Sequence, residues 1–258
     1  MTTRPASGGV QAVERVFELL EVITAAGGDM SLSELSAAVK LPLPTIHRLL
    51  RTLVPSGYVR QLPNRNYSLG PRLIPLGEAA GRQFGSSARA KLDELVDELG
   101  ESANIAVLDG QEVVYIAQAQ SSRSMRMFTE VGRRAGTHDT GVGKAILATL
   151  PDDRVRAIVT GAGMPTPTAK SLGTVEELFA DLARIRERGY AVDDEEQELG
   201  VRCYAMAVPG APTPTAISVS GPVSRVDEDF GRRAVPALRR ATEAIAAELM
   251  PPPVARRA

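Results

Sequence analysis

Between residues 11 and 69 the apolar positions change period, and this change constrains the chain more than any other feature. Val13, Val16, Phe17, Leu20 and Ile23 recur at helical spacing, with Glu14, Arg15, Glu18 and Glu21 opposite them. The pattern stops at Gly27-Gly28. It resumes at Ser31-Leu32-Ser33-Glu34, which has the form of a capping box, with Leu32, Leu35 and Val39 as the inward stripe. Pro42 and Pro44 interrupt it, and a third helix follows with Ile46, Leu49, Leu50 and Leu53 inward, ending by Pro55-Ser56-Gly57. Tyr58–Leu62 and Asn66–Leu69 then read as short strands around a Pro63-Asn64-Arg65 turn. Three helices and a hairpin in this order form a winged helix-turn-helix, whose turn is the short link between helices two and three.

Charge is distributed to match. The whole chain of 258 residues carries 30 Lys+Arg against 31 Asp+Glu, a net charge of −1. Yet between residues 30 and 72 the basic residues are Lys40, Arg48, Arg51, Arg60, Arg65 and Arg72, and the only acid is Glu34. His47, Arg48 and Arg51 lie away from the Leu/Ile stripe of the third helix, with Thr45 near its N-terminal end. A solvated basic face is the bland explanation. The ordered set of capped helix, short turn, basic helix face and basic hairpin tip favours double-stranded DNA. The candidate DNA-contacting residues are Ser33, Thr45, His47, Arg48, Arg51 and Arg65.

The rest of the chain reads as a different kind of domain. Leu73, Leu76, Ala79, Ala80 and Phe84 suggest a connecting helix, weakened by Pro75, Gly77 and Gly81, and Ala88–Leu99 is a stronger one. Asn104–Leu108 and Val113–Ala117 flank Asp109-Gly110, a hairpin signal. Met125–Phe128 is a candidate strand. Helices are expected over 142–150, 152–159, 175–188 and 227–250, the last containing Pro236, and strands over 190–192, 201–208 and 215–220. Hairpins with helices between them indicate an α+β fold around a mainly antiparallel sheet.

Several function classes are excluded or weakened. One Cys allows no intrachain disulfide, and one Cys with two His leaves little for a zinc site. Neither a metal nor a cofactor is expected. The longest stretch free of formal charge, Cys203–Ser224, holds four prolines, so no membrane span is expected. No secretion signal is read, and the expected compartment is the cytoplasm. Gly141-Val142-Gly143-Lys144-Ala145 fails as a phosphate loop, because His138 and Ala145 stand where that motif needs Gly and Ser or Thr. A Gly-rich helix start still offers N–H groups to a carboxylate. His138-Asp139 has no Gly-x-Ser-x-Gly elbow to serve, and a His before a helix is usually structural. Asp193 follows Tyr190-Ala191-Val192 and is placed at a strand end pointing inward. Ser218 and Ser220 share one strand face, opposite Ile217 and Val219, and Val201 and Cys203 share another. Those faces read either as a sheet with one wet surface or as a pocket wall of small polar groups and one thiol.

These motifs together resemble the IclR-type bacterial transcriptional regulators over essentially the whole chain. The N-terminal resemblance rests on Val10–Arg15, Leu32–Leu35, Thr45–Leu53, Gly57–Val59 and Tyr67–Gly70. The C-terminal resemblance rests on Gly141–Ala145, Gly189–Glu196, Gly200–Cys203 and Ser218–Pro222. It implies a winged-helix DNA-binding domain over 10–70 after a mobile leader at 1–9, a linker helix over 71–86, a GAF-like effector domain over 87–250 and a tail at 251–258. It implies dimers joined through the N-terminal region, often paired into tetramers, on palindromic operators. It also implies an effector pocket at Ser124, Met127, Gly141, Val142, Asp193, Val201, Cys203, Ser218 and Ser220. Two departures stand out: Asp139, which adds negative charge near the pocket mouth, and Leu43-Pro44 at the start of the recognition helix, where relatives often carry a polar residue.

The resulting expectation is a DNA-binding regulator, a repressor rather than an activator, without catalysis. Its operator affinity is set by a small polar metabolite such as a hydroxylated carboxylate. The alternatives are an enzyme using a Cys203/Asp193 cleft with an appended helix-turn-helix, and a DNA-binding protein with no ligand.

Overall fold

The computed structural model describes residues 10–82, 88–123 and 129–249. The expected leader, the tail, Phe84, the Met125–Phe128 strand and the pocket positions Ser124 and Met127 lie outside the described residues. The chain divides into two compact units, Met1–Ala80 and Gly81–Ala258.

The first unit runs α1 (Gln11–Ala25), β1 (Asp29–Met30), α2 (Leu32–Ala38), α3 (Leu43–Leu53), β2 (Val59–Gln61) and β3 (Tyr67–Leu69). The three strands form an antiparallel sheet in the order β1-β3-β2. The capping box at α2 is complete: Ser31 N–H donates to Glu34 Oε2 at 2.7 Å, and Glu34 N–H donates to Ser31 Oγ at 3.3 Å. Pro44 sits in the first turn of α3, where a missing N–H costs no hydrogen bond. Leu19, Ile23, Leu35, Val39, Ile46, Leu49, Leu50 and Leu53 form the core with Val59 and Tyr67 of the wing.

The sequence expectation for α1 needs correcting. Leu19 and Ile23 are buried, with Val16 and Leu20 packed beside them, whereas Val13 and Phe17 are 49% and 59% exposed. The helix carries two apolar stripes about a quarter turn apart, and one stripe completes this small core. A fourth helix, α4 (Leu73–Arg82), follows the wing.

The second unit contains α5 (Ala88–Leu99), β4 (Ser102–Asp109), β5 (Glu112–Ala119), β6 (Arg134–Ala135), α6 (Gly141–Ala148), α7 (Asp152–Ala162), α8 (Val175–Arg188), β7 (Ala191–Asp194), β8 (Val201–Ala207), β9 (Thr215–Pro222) and α9 (Glu228–Leu249). One six-stranded sheet, in the order β6-β5-β4-β9-β8-β7, is antiparallel throughout. Period two sends Cys203, Ala205 and Ala216 to the side of α6, α7 and α8, and Tyr204, Met206, Ile217 and Val219 to the side of α5 and α9. Helices therefore cover both faces. The reading of the Ser218/Ser220 face as a wet surface is overturned: both serines are buried.

Candidate functional site

The first unit presents α3 outward by elimination. The four apolar residues of its inward stripe are inside, so His47, Arg48 and Arg51 are left exposed on the opposite side, while at its start Leu43 is exposed and Thr45 half-buried. Ser33 is exposed on α2. Arg65 is exposed at the wing tip with φ of 68°, a left-handed backbone a side chain rarely adopts. Asp29 in β1 holds the tip: its Oδ2 accepts from the amides of Asn66 at 2.7 Å and Asn64 at 3.4 Å. Arg60 is tied along the wing, donating from Nε to Ser68 Oγ at 2.9 Å.

In the second unit, strand register assembles the pocket wall. Asp193 faces Cys203, Cys203 faces Ser220 and Ser220 faces Ser102, a row across four strands. Two residues along lies a second row, in which Asn104 pairs with Gln118 on one side and Ser218 on the other. Asn104 reaches Ser220 Oγ at 3.3 Å. Gln118 Nε2 donates to Asn104 Oδ1 at 3.0 Å. Sequence reasoning found Asp193, Cys203, Ser218 and Ser220 in this wall and missed Asn104 and Gln118. Val201, half-buried at the start of β8, lies at one margin.

Helix α6 is pressed onto this wall. Thr140 caps it, accepting from Gly143 N–H at 3.0 Å and donating to Gly136 O at 2.7 Å. The first N–H groups, at Gly141 and Val142, fall outside the intrahelical ladder and mark the positive end of the helix dipole. The Val142 side chain is in the core, so only its main chain is available to a ligand. A Cβ on Gly141 would lie 2.8 Å from Cys203 Sγ. Glycine is therefore needed there for close helix–sheet packing.

Lys144, one turn into α6, is 1% exposed and pairs with Asp181 of α8 at 2.9 Å and with Glu196 after β7. Burial raises the Asp181 carboxyl, but Lys144 and Arg184 outweigh it and hold it low. Burial keeps Glu196 raised despite the same lysine. The Glu196 N–H in turn donates to Asp193 Oδ1 at 2.8 Å. Asp193 is pushed up to about 7, chiefly by burial, with Glu196 adding to the rise. Burial also pushes the Cys203 thiol up to about 12, with Asp193 adding to it. Such a thiol is not a nucleophile near neutral pH. His138 is buried, its Nε2 2.9 Å from the Pro165 carbonyl, as expected for a structural histidine. Among the described residues, no group of three or more His, Cys, Asp or Glu is placed to hold a metal ion. No described helix is long and apolar enough to cross a membrane.

Comparison with known proteins agrees with this architecture. The model of the bacterial transcriptional regulator IclR C-terminal domain matches residues 81–247, and that of the IclR helix-turn-helix domain matches residues 12–63. The transcriptional repressor IclR of Escherichia coli K12 is 36% identical over 257 residues, covering 94% of this chain and 92% of that protein. The crystal structure of an IclR transcriptional regulator from Alicyclobacillus acidocaldarius superposes with a TM-score of 0.81 at 26% identity, covering 94% of this chain and 100% of that one. An IclR homologue from Microbacterium hydrocarbonoxydans, complexed with 4-hydroxybenzoate, shares the fold at 23% identity and a TM-score of 0.80, covering 93% and 99%. A helix-turn-helix with a basic outer face and a second unit with a buried polar wall are both matched along nearly their full length, and the chain belongs to the IclR family of bacterial transcriptional regulators.

Proposed function

We propose that this regulator is a repressor whose hold on a palindromic operator is controlled by a small polar metabolite. The observation that carries the DNA half is α3, which buries every apolar residue of its inward stripe and turns His47, Arg48 and Arg51 to solvent with no acid in the helix. In this reading α3 enters the major groove, Ser33 and Thr45 contact phosphate or base edges at its entry, and Arg65 reaches phosphate or the minor groove. Repression is supported by the E. coli relative named a transcriptional repressor.

The effector half rests on the polar rows behind α6. The N–H groups of Gly141 and Val142, the hydroxyls of Ser218 and Ser220, and Asp193 beside Cys203 and Val201 form the candidate ligand wall, with Ser124 and Met127 kept as further candidate effector-binding residues. The enzyme reading loses its nucleophile, because the Cys203 thiol stays protonated. Effector binding favours one arrangement of a dimer or tetramer and so changes operator affinity.

Gel-shift titrations at several salt concentrations test the DNA half. Arg48→Ala and Arg51→Ala should each weaken operator binding without loss of fold, and removing a phosphate-binding arginine should lower the salt slope by about one. Unchanged affinity and slope in both variants would remove α3 from the interface.

A further inference from the structure

The recognition helix opens with an apolar residue that the protein does not bury. Leu43, the first residue of α3, is 46% exposed, whereas Ile46, Leu49, Leu50 and Leu53 are buried. It is the one large aliphatic side chain left exposed among the described residues of α2, α3 and the wing. Intervals of four place Leu43, His47 and Arg51 along one side of the helix, and all three are exposed. An apolar group therefore stands in line with the basic residues of the outer face.

The polar groups that a helix start usually offers are scarce here. Pro42 is the N-cap and supplies no side-chain cap, and Pro44 has no N–H. The N–H groups of Thr45 and Ile46 both donate to the Pro42 carbonyl, at 2.8 and 3.2 Å. What the first turn presents outward is hydrocarbon: the Leu43 side chain and the Pro44 ring, both exposed. The rings of Pro42 and Pro44 fix φ on either side of Leu43 and limit how far it can turn away.

The surroundings call for a polyanion. α3 holds no acid, and His47, Arg48, Arg51 and, at the wing tip, Arg65 are exposed. Residues at the N-terminal end of a recognition helix meet base edges in the major groove. The apolar feature among those edges is the C5-methyl of thymine. Guanine, adenine and cytosine present acceptors and amino groups there, which would lose water against Leu43 without gaining a hydrogen bond. We propose that Leu43 is a specificity residue that packs on a thymine C5-methyl in each half-site, so that the operator carries T at that position for its methyl group and not for its hydrogen bonds. This rests on the DNA-binding reading above.

The test removes only the methyl. The full-length protein selects its preferred duplex from a random-sequence pool, and each dT of that duplex is replaced in turn by dU, which keeps the hydrogen-bonding groups and lacks the C5-methyl. Gel-shift titration should find one dT per half-site whose replacement weakens wild type about fourfold, the scale expected for one buried methyl group. Leu43→Ser should bind the dT and dU duplexes alike, with unchanged sedimentation. If no dT responds in wild type, or if Leu43→Ser still discriminates dU from dT, the Leu43 assignment falls and the DNA-binding reading stands. A changed oligomeric state in Leu43→Ser would place this side chain in a protein interface and overturn the assignment as well. If the pool yields no duplex preferred over random DNA, the DNA-binding reading fails and takes this inference with it.

Discussion

Asp193, next to last in β7, has 4% of its surface exposed, and the buried cation beside it, Lys144, is already shared by Asp181 and Glu196. Its carboxyl therefore titrates near 7 in the folded chain instead of near 3.8. Between those values the folded state keeps a proton that the unfolded chain has released. Stability thus falls as pH rises from about 4 to about 7 and stays lowered above that. Asp193→Asn keeps an oxygen for the Glu196 and Gln197 N–H groups and removes the titration. Its advantage over wild type in urea unfolding of the ligand-free protein should grow between pH 5 and pH 8, by on the order of 3 kcal/mol. A difference independent of pH would show that Asp193 is not held near-neutral by burial. Lys144 gives the complementary case: Lys144→Met leaves two buried carboxylates without their cation and should cost about 3–5 kcal/mol at pH 7. Little change in the unfolding midpoint would mean that the pairing is solvated. The sequence exposed Asp193, Cys203, Ser218 and Ser220 because each stands on a local period-two pattern. Asn104 was not legible there, because its place beside Ser218 depends on pairing between strands far apart in the chain, and Glu196 was not, because it meets Lys144 from a loop after β7. Lys144 was legible only as a failed phosphate-loop lysine.

At the scale of elements, the wing shows what a short strand contributes. Two residues, Asp29 and Met30, pair with Ser68 and Tyr67, and this two-residue β1 is too brief to leave a periodic signal. Yet Asp29 is where Asn64 and Asn66 anchor the tip that carries Arg65. Asp29→Ala should loosen the tip without removing any cation. The expected result is operator affinity reduced a few-fold with an unchanged salt slope, whereas Arg65→Ala lowers the slope by about one. The two variants separate positioning from charge in the same gel-shift series; a lowered slope for Asp29→Ala would remove the distinction. Elements with strong local signals were legible almost to the residue: α8 covers the expected 175–188, and the α2 capping box is complete. The phase of α1 was not, because two apolar stripes satisfy the same period and only the assembled core chooses between them.

The stripe that the core leaves out bears on the whole molecule. Val10, Val13 and Phe17 share one side at the start of the chain's first helix, all exposed, and Ile74 and Leu76 of α4 are exposed as well. Five large apolar side chains in the open around a DNA-binding unit fit self-association better than solvation. A single winged helix reads one half-site, and a two-fold pair about 34–36 Å apart reads a palindrome. The proposed dimer joins both facts, since covering α1 with a second copy's α1 buries the stripe and fixes the spacing of the two α3 helices. The intact protein should sediment as a dimer or larger at micromolar concentration. Phe17→Glu together with Val13→Glu should shift it toward monomer, leave the second unit's ligand response in place, and reduce affinity for a two-half-site operator at least tenfold while half-site binding changes little. A wild-type monomer in sedimentation, or a double variant that assembles and binds like wild type, would place the partner surface elsewhere on the molecule.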